Sequence, residues 1–248
     1  MSTTATTTNE RPDQAAGSNA LLVGAWFTHI YTAAGAVLAL LALLATVEND
    51  IRAAFLWLAA ATFVDSTDGL LARIFRVKDR LPHVDGARLD DIVDYLTFVF
   101  VPAFLLLRTG SLPAGWGVAV AFAILVSSAV AFVRSDAKTD DHFFTGFPSY
   151  WNIVAFYLIA ARTGTGFNVA LLMVLCVLVF VRIGYVYPSR TPTLRGPTLV
   201  LGYAWAALVA YLMWCYPAVN RALLLATLAY PAYYIVLSLA LHWRRRAA

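Results

Sequence analysis

Apolar stretches of about 20 residues, the length a helix needs to cross the hydrocarbon core of a bilayer, return along the whole chain with short polar breaks between them. With 61% of 248 residues hydrophobic and only 13% charged, the chain lacks the polar side chains that would cover a soluble domain built from such segments. The sequence therefore predicts an all-α polytopic membrane protein. Eight spans are expected, near residues 20–47, 51–74, 88–108, 112–134, 149–163, 167–187, 198–217 and 221–243. Residues 1–19 have neither the basic start nor the apolar centre of a signal peptide and are expected to form a disordered tail. Residues 244–248 read as a basic tail after a membrane-embedded domain at 20–243. Cys176 and Cys215 fall inside spans and read as small apolar packing residues, not as a disulfide or a metal site.

With eight spans the two termini share one side of the membrane, and basic residues mark which side that is. Of 18 Lys and Arg residues, 14 collect with the termini: Arg11, Arg73, Arg76, Lys78, Arg80, Arg88, Arg134, Lys138, Arg182, Arg190, Arg195 and Arg244 to Arg246. The other side keeps Arg52, Arg108, Arg162 and Arg221. Both termini and the loop at 74–88 are therefore expected to be cytoplasmic, where that loop's charges favour an anionic lipid surface. The net charge of +4 needs no nucleic-acid partner.

The acidic residues are unevenly placed. Seven of 14 lie between positions 65 and 94: Asp65, Asp68, Asp79, Asp85, Asp90, Asp91 and Asp94. A charge near the middle of a spanning helix costs about 2.5–3.5 kcal/mol on insertion scales, and less near the ends. Asp65 and Asp68 are spaced i, i+3 at the end of the second span, and Asp90 and Asp94 i, i+4 at the start of the third, so each pair lies on one helical face. Consecutive spans joined by a short loop are antiparallel neighbours, which lets the pairs converge. Facing carboxylates repel unless divalent cations neutralise them. Gly69 and Gly86 remove side chains where a ligand would approach. Asp79, Asp85 and Asp91 read as solvated or paired with Arg73, Arg76 or Arg88. Asp140, Asp141 and His142 lie in a short hydrophilic loop and are explained by solvation. His29, Thr32 and Asn152 read as packing residues.

The run Asp65, Asp68-Gly69, Ala72-Arg73, Gly86, Asp90, Asp94 resembles the signature of the CDP-alcohol phosphatidyltransferases, membrane enzymes that join a CDP-activated group to an alcohol and release CMP. Twelve residues, IFRVKDRLPHVD, separate Arg73 from Gly86, a spacing similar to that of bacterial members that use choline. The segments at 27–43, 77–82, 97–104 and 143–158 carry the likeness further. Ser66, Thr67 and Leu70 depart from near relatives at positions outside the acidic motif. The resemblance implies a six-helix core with two extra helices, in a bacterial inner membrane. It also implies transfer of the phosphatidyl group of CDP-diacylglycerol to choline by in-line attack, dependent on Mn²⁺ or Mg²⁺, with a homodimer as the assembly. It assigns Asp65, Asp68, Asp90 and Asp94 to metal and catalysis, Asp94 as the general base beside Asp90. The CMP moiety would lie around Asp65, Asp68, Gly69, Ala72, Arg73 and Gly86.

A quaternary ammonium offers no N–H to donate, so aromatic faces are its natural partners. Phe143, Phe144, Phe147, Tyr150 and Trp151 at the entrance to the fifth span, with Tyr31 and Tyr95 near the motif, are the aromatic candidates for choline. Tyr150 and Trp151 stand first among them, although Trp and Tyr populate membrane interfaces whatever the function. The rival readings are a related transferase with serine, glycerol phosphate or inositol phosphate as acceptor, and a divalent-cation transporter. Phosphorylated acceptors call for a basic pocket that no later span supplies. Transport sites lie near the midplane, whereas this cluster is at helix ends.

Overall fold

Pro12 opens a helix of 36 residues, α1 (Pro12–Val47), and a computed structural model describes the chain over residues 12–134, 143–188 and 191–247. Proline suits a first helical position because its missing N–H has no partner there anyway. The helix thus takes up the end of the segment expected to be an irregular tail, while residues 1–11 lie outside the described residues, as do Lys138, Asp140, Asp141, His142 and Arg190. The chain continues as α2 (Ile51–Ile74), a short α3 (Val77–Arg80), α4 (Gly86–Asp94), a π-helical turn (Tyr95–Phe100) and α5 (Val101–Arg108). After α6 (Gly117–Phe132) come β1 (Phe143–Thr145), α7 (Trp151–Ala160), α8 (Thr165–Leu178) and β2 (Gly184–Val186). The C-terminal part holds α9 (Arg195–Trp214), α10 (Arg221–Thr227) and α11 (Ala229–Ala247).

Helix falls on each stretch the sequence marks as a span, and the molecule is an all-α, multi-pass membrane protein. Among the described residues, four helical stretches, 19–47, 51–74, 195–214 and 221–245, are long and apolar enough to cross a bilayer. Its burial pattern is that of a protein in lipid. Val23, Ile30 and Val37 of α1 are 70%, 66% and 57% exposed, while Thr28, His29, Thr32, Asp68, Thr97, Ser128, Asn152 and Asn168 are buried. Lipid solvates apolar side chains on the outside; polar ones need partners within the bundle. Phe55 anchors the core edge-on to Phe156 at 5.2 Å and to Tyr216 at 5.3 Å.

Three differences from the sequence expectation have physical causes. The third span is one helical run with a widened turn in its middle. Pro102 has no N–H for the carbonyl one turn back, and the N–H of Val101 instead reaches Leu96 O, five residues earlier,. The helix of the sixth expected span, α8, stops at Leu178, because the apolar run after it pairs as a strand: Phe143 opposes Val186, Phe144 Tyr185 and Thr145 Gly184, antiparallel. A short apolar run does not distinguish strand from helix by periodicity. The last span is interrupted at Leu228 between α10 and α11.

The outer edge of β2 is closed by α11. Gly184 N–H donates to His242 Nδ1 (3.1 Å), Val186 N–H to Ser238 Oγ (3.1 Å), and Tyr234 O–H to Val186 O (3.0 Å). Residues 234, 238 and 242 recur at i, i+4, i+8, so one face of α11 satisfies the strand's unpaired backbone groups.

α1 packs along α2 and also against α4. The approach to α4 is close because Gly35 has no side chain: a Cβ there would lie 2.4 Å from Val93 Cγ1. Gly35→Ala is expected to push α4 away from α1 at a cost of about 1–3 kcal/mol, read as a lower thermal midpoint in detergent. Val93→Ala in the same chain should recover most of the loss, since it removes the methyl groups in conflict.

Candidate active site

The C-terminal half of α2 and the start of α4 meet beside α1. Asp85 caps α4, its Oδ1 accepting Arg88 N–H (3.2 Å), and its other oxygen pairs with the Arg88 guanidinium at 3.1 Å. This cap sets where α4 begins and hence which face Asp90 occupies. It also gives Asp85 and Arg88 a structural pairing with each other.

One carboxylate oxygen from each of Asp65, Asp68 and Asp90 lies within 4.8 Å of the other two. Asp68 is buried and the other two are half-buried. Thr32 of α1 donates its hydroxyl to Asp68 Oδ2 (2.8 Å), and the Tyr31 and Thr67 hydroxyls share a hydrogen bond of 2.8 Å one position earlier on each helix. Carboxylates this close repel one another unless a cation stands between them. Oxygen ligands at about 2.0–2.2 Å from a small ion span about 4 Å across it, so the spacing and the all-oxygen donor set fit a hard cation of the Mg²⁺ or Mn²⁺ kind. Asp94 lies one turn further along the helix; its Oδ1 is buried and accepts no hydrogen bond.

Beside the carboxylates, Arg73 is exposed and lies back along α2: a Cβ at Gly69 would sit 3.7 Å from Arg73 Nη1. Bare backbone and a guanidinium side by side form a place for phosphate oxygens. Ala72 is half-buried on the same stretch, and Gly86 opens α4 with its Cα face against His29, whose Cε1 would be 3.0 Å from a Cβ there. His29 is buried, and its Nε2 has no hydrogen-bond partner.

The aromatic candidates divide. Tyr150 is 36% exposed, its ring edge-on to Phe98 at 6.3 Å. Trp151 is fully buried, with its indole N–H donated to Ser128 Oγ (2.7 Å) and its ring against Phe147 at 5.2 Å; this is a core position, not an open face. Tyr95 donates its hydroxyl to Leu125 O (3.0 Å) and tethers the π-helical turn to α6. Tyr31 is turned to Thr67, as above. Thr32, which the sequence presents as one polar residue on a helix face, proves to hold Asp68; nothing in its spacing marks that role. Asn152 donates to Thr62 Oγ1 (3.2 Å) and braces α7 on α2.

The profile of the CDP-alcohol phosphatidyltransferase family matches residues 23–183, which contain every carboxylate of the cluster. The chain is 43% identical over 222 residues to a phosphatidylcholine synthase of Legionella pneumophila, covering 86% of this chain and 87% of that protein. It is 39% identical over 220 residues to one of Pseudomonas aeruginosa, covering 89% and 91%, and 39% over 191 residues to one of Rhizobium meliloti, covering 76% and 78%. An aspartate cluster at which two helices meet, inside a segment matched by the family profile, leaves one conclusion: the chain belongs to the CDP-alcohol phosphatidyltransferase family.

Proposed function

We propose that this protein transfers the phosphatidyl group of CDP-diacylglycerol to choline, forming phosphatidylcholine and releasing CMP. The observation that carries the reaction class is the meeting of Asp65, Asp68 and Asp90 oxygens within 4.8 Å beside an exposed arginine. The choice of choline rests on relatives that share about two fifths of their residues with this chain over most of its length and are named for phosphatidylcholine synthesis. The site opens to the cytoplasm of a bacterial inner membrane, with both termini on that side, in agreement with the grouping of basic residues. A homodimer is the assembly we expect from the family.

Asp65, Asp68 and Asp90 would hold the metal, Mn²⁺ or Mg²⁺, with Asp94 as the further carboxylate of the set. When bound, the ion neutralises the pyrophosphate and the departing CMP. Thr32 fixes the Asp68 carboxylate so that the donor set is assembled in advance, which limits the reorganisation needed on binding. The Arg73 guanidinium pairs with phosphate oxygens, Gly69 leaves the nucleotide room against the α2 backbone beside Ala72, and Gly86 lets the start of α4 close up to His29 at the rim of the same site,. Asp94 takes the hydroxyl proton of choline as the choline oxygen bonds to the β-phosphorus and the bond from that phosphorus to the CMP oxygen breaks. A positioned base of this kind contributes about 10²–10⁴-fold in rate. The diacylglycerol chains stay in the bilayer throughout, while choline and CMP exchange with water.

In liposomes containing CDP-diacylglycerol and Mn²⁺, CMP release is expected with choline and not with serine, glycerol phosphate or inositol; release with one of the others in its place would refute the acceptor. Asp94→Asn should lower kcat by about 10²–10⁴-fold while the protein still binds CMP with Mn²⁺. Thr32→Val is expected to weaken Mn²⁺ binding, measured by calorimetry on metal-free protein, by about 10- to 100-fold, the usual consequence of losing an outer partner of a metal ligand.

A further inference from the structure

Two close approaches set the register of α1 against α4. A Cβ at Gly86 would lie 3.0 Å from His29 Cε1 and 3.5 Å from Nδ1, and a Cβ at Gly35 would overlap Val93 Cγ1. The partners advance in the same direction on both helices, His29 to Gly35 and Gly86 to Val93, so α1 and α4 run parallel. Thr32, which reaches Asp68 Oδ2 at 2.8 Å, then falls level with Asp90, and His29 lies one turn, about 5 Å, towards the start of α4. His29 is 7% exposed, and its Nε2 has no hydrogen-bond partner among the described residues. Trp26 stands edge-on to the ring at 6.3 Å from the same helix. Buried polar atoms are nearly always hydrogen-bonded, and one that is not calls for a cause.

Resting on the reading above, we infer that His29 hydrogen-bonds, through Nε2, a ribose hydroxyl of the CMP moiety of CDP-diacylglycerol. Gly86, Asp90 and Asp94 follow one another at i, i+4, i+8 on one face of α4. His29 thus stands at one end of this row and Asp94, the residue proposed for proton transfer, at the other, about 12 Å away along the axis. In phosphoryl transfer the entering and departing oxygens lie on opposite sides of the phosphorus. A group at the end remote from Asp94 therefore meets the departing nucleotide and not choline. Within that nucleotide the ribose is the next group beyond the phosphates, which matches the single turn between His29 and the carboxylates. A hydroxyl both donates and accepts, so it pairs with an imidazole nitrogen in either tautomer. The last torsion of histidine is broad, and a half turn of the ring brings Nε2 to the edge now held by Cε1, beside the bare backbone of Gly86. One histidine in an apolar helix has no spacing to mark it; the contact with Gly86 is what ties it to the acidic site.

The test measures binding of CMP, of its 2′,3′-dideoxy analogue and of UMP by calorimetry, on the full-length protein in detergent with Mn²⁺. Wild type is expected to bind CMP about 3- to 10-fold more tightly than the dideoxy analogue, the usual worth of one hydrogen bond. His29→Phe keeps the bulk of the ring without its nitrogens and should bind both alike, at the wild-type affinity for the analogue. His29→Gln, whose amide reaches about as far as Nε2, should recover most of the preference, and His29→Ala gives the same comparison if the Phe variant does not fold. In liposomes, His29→Phe should raise the CDP-diacylglycerol KM by about 3- to 10-fold and the choline KM by less than about twofold. A wild type that binds CMP and its analogue equally, a Phe variant that keeps the preference, or equal weakening of both nucleotides would overturn the contact and leave His29 as packing. A Phe variant that loses discrimination between CMP and UMP while still favouring the ribose would overturn it as well, by placing the imidazole at the base. Release of CMP with serine in place of choline would defeat the acceptor assignment alone.

Discussion

Mutual repulsion among carboxylates at the membrane boundary governs how the rest of the molecule is built. Asp65, Asp68 and Asp90 are brought within 4.8 Å of one another, an arrangement that costs energy unless a cation or a shared proton stands between them. The fold supplies the opposing force by packing α1 against both α2 and α4. Gly35 lets Val93 press into α1, and Thr32 reaches Asp68 at 2.8 Å from the same helix. A long apolar helix thus acts as the brace for a polar site, with its exposed side in lipid and its polar residues turned to its neighbours.

The widened turn after Asp94 extends this logic. A proline in the third span would break a regular helix, yet here the turn tightens again within a few residues, and Tyr95 ties it to α6 through Leu125 O at 3.0 Å. The irregular backbone is enclosed by protein, the only setting in which a membrane tolerates it. Wide helical turns of this kind occur often next to functional groups, and this one starts directly after Asp94, the residue we propose for proton transfer.

Much of this was legible in the sequence, and the reason is physical. Lipid demands long apolar segments, so the spans stand out, and ionisable residues inside them are costly enough that their i, i+3 and i, i+4 spacing carries information. The convergence of Asp65, Asp68 and Asp90 followed from that spacing and the short loop between the helices. What escaped depends on three-dimensional packing alone. Trp151 looked like an exposed aromatic at a helix entrance, but Ser128 and Phe147 enclose it in the core. The strand at 184–186 is as apolar as the helix before it, and its pairing with 143–145 arises from segments some 40 residues apart. Thr32 is one threonine among many until Asp68 is seen beside it.

The bonds from Gly184 to His242 and from Val186 to Ser238 have a consequence for how this chain tolerates change. A single residue added to or removed from α11 between Tyr234 and His242 rotates everything beyond it by about 100° around the helix axis. His242 would swing off the strand and leave Gly184 N–H unsatisfied beside a membrane, whatever residue was inserted. Substitutions along this stretch are judged by chemistry, but its length is held to an integer, so variation there should run through point replacement and not through insertion or deletion.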